Sequence, residues 1–367
     1  MRLIGKLLVA LVVIGLAAAG AGYFGLTRVN QPYKGYASPD VFVEIPPGDG
    51  PARIGQRLVE AGVVPDAVTF RGAVWLSGQA RELKAGEYRF ERPMTALEVV
   101  DKIAKGDVYR RLVTFREGLT IAEMAQVFGS EGLGKASEFV AAARNAEIIR
   151  AIDPDAKDLE GYLFPETYTV GRDVSADALV TEMVELFLQT FTPALREAAK
   201  AQGLTVREAV TVASLVEKET AVPEERPLVA AVYLNRQRIK MPMQADPTVI
   251  YALQRAGRYS GNLRRDDLQF DSPYNTYRYA GLPPGPIAAP GKASLEAVAT
   301  PAAVDYLYFV SRNDGSHVFA QTLEEHNANV RKLQVEFFRQ QRQGNAVSAR
   351  PTSTSRAAAR STRARVP

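Results

Sequence analysis

An uncharged run near the N-terminus constrains the fold more than any other part of the sequence. Residues 7–26, LLVALVVIGLAAAGAGYFGL, contain no charged side chain over 20 positions. A helix of that length crosses the hydrocarbon core of a bilayer, and Tyr23 and Phe24 lie where an interfacial aromatic belt is expected. The run predicts a transmembrane helix at residues 7–26.

A cleaved signal peptide is the alternative interpretation of this run. Residues 7–16 would be its apolar region and the alanines at 17–19 its cleavage site. We expect an uncleaved anchor, because the apolar run is long enough to span the membrane. Arg2, Lys6 and the α-amino group favour a cytoplasmic N-terminus at residues 1–6, so both interpretations export the bulk of the chain.

Composition excludes several classes of functional site. The 367 residues include no cysteine, so the chain has no disulfides and no thiolate metal ligands. With only two histidines, His317 and His326, a histidine-rich zinc site is not expected. No glycine-rich phosphate loop and no G-x-S-x-G motif occurs. We therefore expect neither a metal nor another cofactor.

The positive net charge belongs to the C-terminal tail. Beyond residue 340 the chain carries six arginines and no acidic residue, and subtracting them from the net charge of +4 leaves −2 for the rest. Residues 341–367 are rich in Ser, Thr, Ala and Arg, which predicts a disordered tail. Contact of the tail with nucleic acid or anionic lipid is the alternative. The folded body has no basic stripe, so nucleic acid is not expected as a partner.

Four predicted elements follow a linker of Gly, Pro, Ser and polar residues at 27–40. Their β-α-α-β order is similar to that of LysM modules, which are small glycan-binding units of cell-wall proteins. We assign residues 41–110 to a LysM-like subdomain. The elements are strands at 41–45 and 86–90 and helices at 51–61 and 66–77.

An internal repeat extends this pattern along the chain. Five residues of the first unit recur 70 positions later, and two apolar positions keep their character. A second LysM-like unit is therefore predicted at 112–168, with its helix opened by the capping box Thr120-x-x-Glu123. The matched residues are Val43, Gly48, Ala52, Gln56 and Gly62 with Val113, Gly118, Ala122, Gln126 and Gly132, and Ile45 and Leu58 with Phe115 and Phe128.

The segment LEGYLFPETY at residues 159–168 closes the second unit. Its aromatic residues and Glu166 either line a sugar groove or pack at a domain junction, and the sequence favours neither. Helices are predicted near 176–191 and 193–202, and between the two units at 96–105, where Thr95-x-x-Glu98 is a further capping box.

Two glutamates end the most apolar helix of the chain. Thr205-x-x-Glu208 predicts the start of this helix and Pro223 limits its continuation. Glu217 follows the stripe of Val206, Val210 and Ala213, whereas Glu219 follows that of Val212 and Leu215. A carboxyl group at the end of a buried helix would be partly desolvated, which suits a general acid. Periodicity does not choose between the two glutamates, and a helix end facing water is the alternative.

Several motifs then occur in order after ASLVEKET (213–220). Together they make residues 1–340 resemble the endolytic murein transglycosylase family, MltG or YceG-like. In the motif QADPTVIY this chain has Ala245 where the family pattern has threonine, which leaves the neighbouring polar groups in place. The motifs are LNR (234–236), QADPTVIY (244–251), SPYNTY (272–277), GLPPGPIAAPG (281–291) and LYFV (307–310).

The resemblance implies a fold and a set of site residues. Residues 111–340 would form a mainly helical catalytic domain with a glycan cleft. Glu217 would be the catalytic acid, with Glu219 as a supporting carboxylate. Each of the other matched residues either binds sugar or fixes a loop. The residues implied to bind substrate are Glu219, Gln244, Asp246, Tyr274, Asn275 and Tyr277.

The implied reaction is lytic transglycosylation of peptidoglycan glycan strands. The muramyl C6 hydroxyl attacks its own anomeric carbon and leaves a 1,6-anhydro end, while one glutamate acts first as acid and then as base. The expected location is the inner membrane, crossed once, with the bulk of the chain in the periplasm. There the enzyme would limit nascent strand length, beside peptidoglycan synthases of the elongation or division machinery.

Two other functions fit the same residues. A muramidase would cut the same bond with water and needs a second carboxylate, for which Asp246 and Glu166 are the candidates. A non-catalytic cell-wall binding or division scaffold would use the LysM-like unit alone, and the presence of Glu217 argues against it. The mass of the product distinguishes the two enzymes, because an anhydro end is lighter than a hydrolysed end by one water molecule.

Overall fold

The computed structural model describes residues 2–336 and 339, which form two compact units. The first unit holds the described residues up to Val113 together with Tyr168–Val174. The second holds Thr114–Thr167 and the described residues from Ser175 onward. Helices and short strands occur in both units, which confirms the predicted α+β class. The predicted Arg-rich tail, residues 341–367, lies outside the described residues.

The first unit contains two paired strands and four helices. In chain order they are α1 (Arg2–Val29), β1 (Val41–Ile45), α2 (Pro51–Glu60), α3 (Ala67–Ser77), β2 (Gly86–Phe90) and α4 (Ala96–Lys105). The chain passes between the units within β3 (Arg111–Thr114) and β4 (Thr167–Val170), which pair with each other.

The second unit is mainly helical. Its helices are α5 (Ile121–Ser130), α6 (Ala136–Ala143), α7 (Ala176–Thr190), α8 (Pro193–Ala201), α9 (Val206–Glu219), α10 (Arg226–Arg238), α11 (Asp246–Arg255), α12 (Lys292–Ala299) and α13 (Leu323–Val330). Strands β5 (Tyr308–Ser311) and β6 (His317–Ala320) form an antiparallel hairpin. Short 3₁₀ turns lie at Ala146–Ile149, Pro223–Glu225 and Arg265–Gln269, and a π-helical turn lies at Arg331–Glu336.

Helix α1 contains the predicted membrane span and continues past it. The stretch Leu11–Val29 is long and apolar enough to cross a membrane by length and composition. Its last residue, Val29, is buried in the core of the first unit. The residues predicted as a linker are also attached to this unit, because Tyr33 pairs with Met94 and Gly35 N–H donates to Gly62 O. Helix α1 is therefore joined to the unit by packing as well as by the chain.

The first unit has the β-α-α-β order that its sequence predicts. Strands β1 and β2 are antiparallel, with Val41 opposite Phe90 and Ile45 opposite Gly86. Alternate residues of both strands face the core, as a period of two requires. Helix α4 begins at the predicted Thr95–Glu98 capping box.

The second repeat has the same frame at the predicted offset. Helix α2 begins at Pro51 and α5 at Ile121, which are 70 positions apart, and each follows a short strand. Gly48 and Gly118 have positive φ values of 89° and 75°, and Gly62 and Gly132 have 70° and 66°. Positive φ is unfavourable for other L-residues, so glycine recurs where the backbone conformation recurs.

The segment at residues 159–168 packs inside the fold. Leu159, Tyr162, Phe164 and Tyr168 are all buried, so the three aromatic residues fill the interior, and Tyr162 also lines a pocket with Glu160. Glu166 is exposed. The structure therefore agrees with the interpretation that the aromatic residues of this segment pack against their neighbours.

Candidate active site

Helix α9 carries both candidate glutamates at its C-terminal end. Thr205 caps its first turn and Glu208 completes the capping box, as the sequence predicts. Every residue from Ala209 to Val216 is buried, so the helix is fixed by packing on all sides. Glu217 and Glu219 are two positions apart and therefore point in different directions from the helix. Their sets of partners are different.

Glu217 is held by three donors from other elements. Its Oε2 accepts hydrogen bonds from Ser294 Oγ at 2.7 Å and from the Gly291 N–H at 2.9 Å. Its Oε1 lies 3.4 Å from Arg226 Nη2. Gly291 is the N-cap of α12, where free N–H groups attract an anion. The side chain of Glu217 is only 6% exposed, so its orientation is defined by these contacts.

A second carboxylate, Glu117, shares Arg226 with Glu217. Glu117 Oε2 lies 3.8 Å from Arg226 Nη2, and the Glu117 side chain is half exposed. Burial raises the pKa of Glu117, and the nearby charges of Glu217 and Glu166 raise it further, while Arg226 opposes them. The carboxylate also packs against Gly291, where any Cβ would collide with it. Sequence analysis did not identify Glu117.

The proline-rich loop at residues 281–291 is fixed against the start of the second repeat. Gly118 N–H donates to Ala289 O, and Ala289 N–H donates to Leu119 O, both at 2.8 Å. Inside the unit, the Ile287 N–H donates to Ser214 Oγ of α9 at 3.1 Å. Lys218 Nζ completes the arrangement by donating to Gly118 O at 3.0 Å. The loop, α9 and residues 117–119 thus enclose Glu217 from three directions.

Glu219 belongs to a separate cluster. Tyr233 OH donates to Glu219 Oε1 at 3.3 Å. Burial raises the pKa of Glu219 to about 7, with a further contribution from the negative charge of Asp246. Asp246 in turn accepts a hydrogen bond from Tyr277 OH at 2.6 Å. Three predicted site residues, Glu219, Asp246 and Tyr277, therefore lie together.

The remaining predicted residues occupy other positions. Asn275 is fully buried; its amide nitrogen donates to Leu268 O and Phe270 O, and its oxygen accepts from the Tyr277 N–H, so it fixes the loop. Tyr274 packs on Tyr251, with the Arg255 guanidinium over both rings. Gln244 is exposed and has a positive φ of 47°. Among the described residues, none of these three forms a hydrogen bond or ion pair with Glu217 that the structure records.

The geometry of the Glu217 site suits proton transfer. It combines a buried carboxylate, a second carboxylate with a raised pKa, and a guanidinium that touches both. Within residues 2–336 and 339 no group of three or more His, Asp or Glu side chains could hold a metal ion. Arg226 and Ser294 were also missed by sequence analysis, because Ser294 lies 77 positions from Glu217 and no local pattern connects them.

Comparisons with known proteins point to a single family. The family model described as the YceG-like family matches residues 43–332. A Bacillus subtilis protein named endolytic murein transglycosylase is 31% identical over 328 residues, which cover 85% of this chain and 89% of the relative. A Streptococcus pneumoniae protein of the same name is 32% identical over 353 residues, which cover 87% of this chain but only 63% of the relative.

A solved structure is similar as well. The crystal structure of a yceG-like protein from Listeria monocytogenes shares 33% sequence identity with this chain at a TM-score of 0.54. The match covers 79% of this chain and 98% of the solved one.

Proposed function

Because the chain belongs to the YceG-like family, we propose that it is an endolytic peptidoglycan lytic transglycosylase. It cleaves β-1,4 bonds between N-acetylmuramic acid and N-acetylglucosamine within glycan strands and leaves 1,6-anhydromuramyl ends. The observation that carries the proposal is the enclosed Glu217 at the end of α9, on the motif that resembles the family's catalytic segment.

Glu217 transfers the proton in the proposed mechanism. Its carboxyl group protonates the glycosidic oxygen as the bond from that oxygen to the muramyl anomeric carbon breaks. The C6 hydroxyl oxygen of the same sugar bonds to the anomeric carbon, and its proton passes to the Glu217 carboxylate. The enzyme is thereby restored and no water is consumed. An intramolecular nucleophile gains from proximity, so the protein has no water to position.

Glu117 helps the site retain a proton. Two carboxylates beside one guanidinium repel each other, and such a pair binds a proton more readily than an isolated carboxyl. Burial is the main cause of the raised pKa of Glu117, and the negative charge of Glu217 raises that pKa further. Arg226 lies against both groups and stabilises the one that carries the charge.

The cluster of Glu219, Asp246 and Tyr277 is the proposed place for sugar recognition. Its hydroxyl and carboxylate groups can hydrogen-bond a glycan, and Asp246 is exposed. Gln244 and Tyr274 stay predictions as substrate-binding residues. Asn275 is proposed to act through the loop that it fixes.

The proposed setting is the inner membrane. Helix α1 would cross it once, with residues 1–6 in the cytoplasm and the bulk of the chain in the periplasm. The first unit and residues 112–168, both of LysM-like β-α-α-β order, would each bind glycan strands. Limitation of nascent strand length alongside peptidoglycan synthases follows from cutting within strands near the membrane.

A muramidase is the second candidate function, and Glu117 is the observation that favours it. A hydrolase needs a second carboxylate near the acid, and Glu117 lies 3.8 Å from Arg226, which also lies 3.4 Å from Glu217. Asp246 and Glu166 stay predictions for that role. The two enzymes differ in their products: a muramidase leaves reducing ends, and a lytic transglycosylase leaves anhydro ends.

The test is a digest of purified glycan strands, with and without EDTA, analysed by mass spectrometry. We expect anhydro ends from the wild type and an activity loss of about 10²–10⁴-fold in Glu217→Gln, which keeps the shape of the side chain but delivers no proton. The matched control is Glu224→Gln, an exposed glutamate on the 3₁₀ turn after α9, which should retain full activity. Reducing ends would establish the muramidase, and an active Glu217→Gln would refute the site.

A further inference from the structure

Helix α3 of the first unit has an apolar face on each side. Phe70, Ala73 and Val74 are buried in the core of the unit. On the opposite side, Val68, Trp75 and Leu76 are 68%, 81% and 42% exposed. Positions 68, 75 and 76 follow the spacing of one helical face, so the exposed residues form a continuous stripe. An ordinary surface helix has polar residues there.

The exposed stripe continues onto α1. The last two turns of α1 and the stripe line one open apolar groove of about 660 Å³. Its apolar side chains are those of Phe24, Leu26, Val29, Val68, Trp75 and Leu76. The two helices are fixed together beside the groove, because Arg28 Nη2 donates to Asp66 Oδ2 at 2.8 Å and Arg28 Nε donates to Thr69 Oγ1 at 3.2 Å. Asp66 is also the N-cap of α3.

The position of the groove along α1 gives its depth in a membrane. Residues 22–29 of α1 line it, which corresponds to roughly 10 Å of helix at about 1.5 Å per residue. The uncharged run ends at Leu26, so these residues cross from the edge of the hydrocarbon into the headgroup layer. Tryptophan is enriched at that level, and arginine next to it can contact lipid phosphate. Arg71 is exposed on α3 beside the stripe.

We propose that the stripe of Val68, Trp75 and Leu76 lies in the outer interface of the bilayer, with phospholipid acyl chains filling the groove between α3 and α1. The first unit therefore rests on the membrane surface and is not suspended from it. The proposal depends on the proposed membrane anchor, since continuity with α1 is what identifies lipid as the occupant. It does not depend on the reaction that the second unit catalyses.

Trp75 is the only tryptophan of the chain, so its fluorescence reports on this surface alone. The full chain is reconstituted into nanodiscs of phosphatidylethanolamine and phosphatidylglycerol, with and without lipid brominated close to the headgroup end of the acyl chains. We expect a blue-shifted Trp75 emission and a loss of its intensity in the brominated discs. Unquenched Trp75 that remains accessible to iodide in solution would overturn the proposal.

Two variants in a Trp75→Phe background separate the possible results. Leu16→Trp places the probe at the middle of the predicted span and, in discs whose lipid is brominated near the ends of the acyl chains, tests the anchor by itself. Arg53→Trp places it on α2, at a 79% exposed side chain that does not line the groove, and should not be quenched. Quenching of the tryptophan in Leu16→Trp without quenching of Trp75 refutes the docking of the stripe but not the membrane anchor. If neither tryptophan is quenched, both the docking and the anchor are refuted. A blue shift that depends on protein concentration, without bromine quenching, would identify a second copy as the occupant and also refute the proposal.

Discussion

The two repeats of this chain share a frame and differ in what they contact. In both, a short strand leads through a glycine of positive φ, Gly48 or Gly118, into a helix. The two helices begin 70 positions apart. The residue before that glycine is Pro47 in the first repeat and Glu117 in the second. The proline adds no functional group, whereas the glutamate reaches the arginine that binds Glu217.

The second helices of the repeats diverge in the same way. Helix α3 leaves one apolar face exposed, whereas α6 is shorter and buries Phe139, Ala142 and Ala143 against its own unit. The repeated glycines and core positions maintain the frame, while single loop residues and outward faces determine how each copy is used. One copy contributes Glu117 to the candidate site, and the other carries the exposed apolar face of α3.

Substitution of the residue before the glycine should break the symmetry of the repeats most strongly. We expect Glu117→Gln to lower turnover by an amount at the low end of the about 10²–10⁴-fold typical of positioned acid–base groups. Burial and the charge of Glu217 raise the pKa of Glu117, so the pH dependence that Glu117 contributes to turnover should be absent from the variant. Pro47→Ala is the matched control and should leave turnover unchanged. The measurement is the rate of anhydro-end formation between pH 5 and 8; equal losses in the two variants would show that Glu117 is merely structural.

Local patterns predicted the frame well. The capping boxes at Thr95, Thr120 and Thr205 each begin a helix where expected, because a cap is formed by residues three positions apart. The repeat also gave the offset of the two strand–helix pairs. Apolar stripes correctly separated the directions of Glu217 and Glu219, whose partners in the structure are different.

The candidate site itself was predicted only in part, for a physical reason. Arg226 and Ser294 reach Glu217 through the packing of α10 and α12 on α9, and Glu117 reaches it from 100 positions earlier. Desolvation of Glu217 follows from the apolar helix alone, whereas the donors that tertiary packing supplies leave no local pattern in the sequence. The return of Tyr168–Val174 to the first unit was missed for the same reason, since β4 pairs with a strand far from it in the chain.

The segments that close the two repeats also differ in a buried carboxyl group. In the second repeat Glu160 is buried, accepts from the Ile121 N–H and Tyr251 OH, and has a pKa raised to about 7, mainly by burial. A carboxyl whose pKa is raised by folding stabilises the protein at low pH, and that contribution is lost as pH rises from about 4.5 to 7. At about 1.4 kcal/mol per unit of pKa, the change amounts to roughly 3 kcal/mol.

Glu160→Gln should remove this pH dependence. The urea midpoint of the full chain in detergent should fall between pH 5 and 7 in the wild type and fall less in the variant. Glu87→Gln is the matched control from the strand that closes the first repeat, where no buried carboxyl of this kind is described. An identical fall of the urea midpoint with pH in wild type and Glu160→Gln would show that other groups, such as Glu219, account for the whole effect.

The smallest expected effects come from the glycines that the repeats share. Alanine at Gly48 or Gly118 must adopt positive φ, which costs about 1–2 kcal/mol, so both variants should lose similar stability. A Cβ at Gly48 meets nothing within 4 Å, but at Gly118 it would contact Lys218 Cδ at 3.6 Å and Glu217 Cγ at 3.8 Å. These are ordinary contact distances, so they add little to the loss of stability but restrict the side chains of the active site. We therefore expect equal shifts in urea midpoint but a lower rate of strand cleavage in Gly118→Ala alone. A rate loss of the same size in Gly48→Ala would mean that the two repeats are not divided between frame and function as the structure indicates.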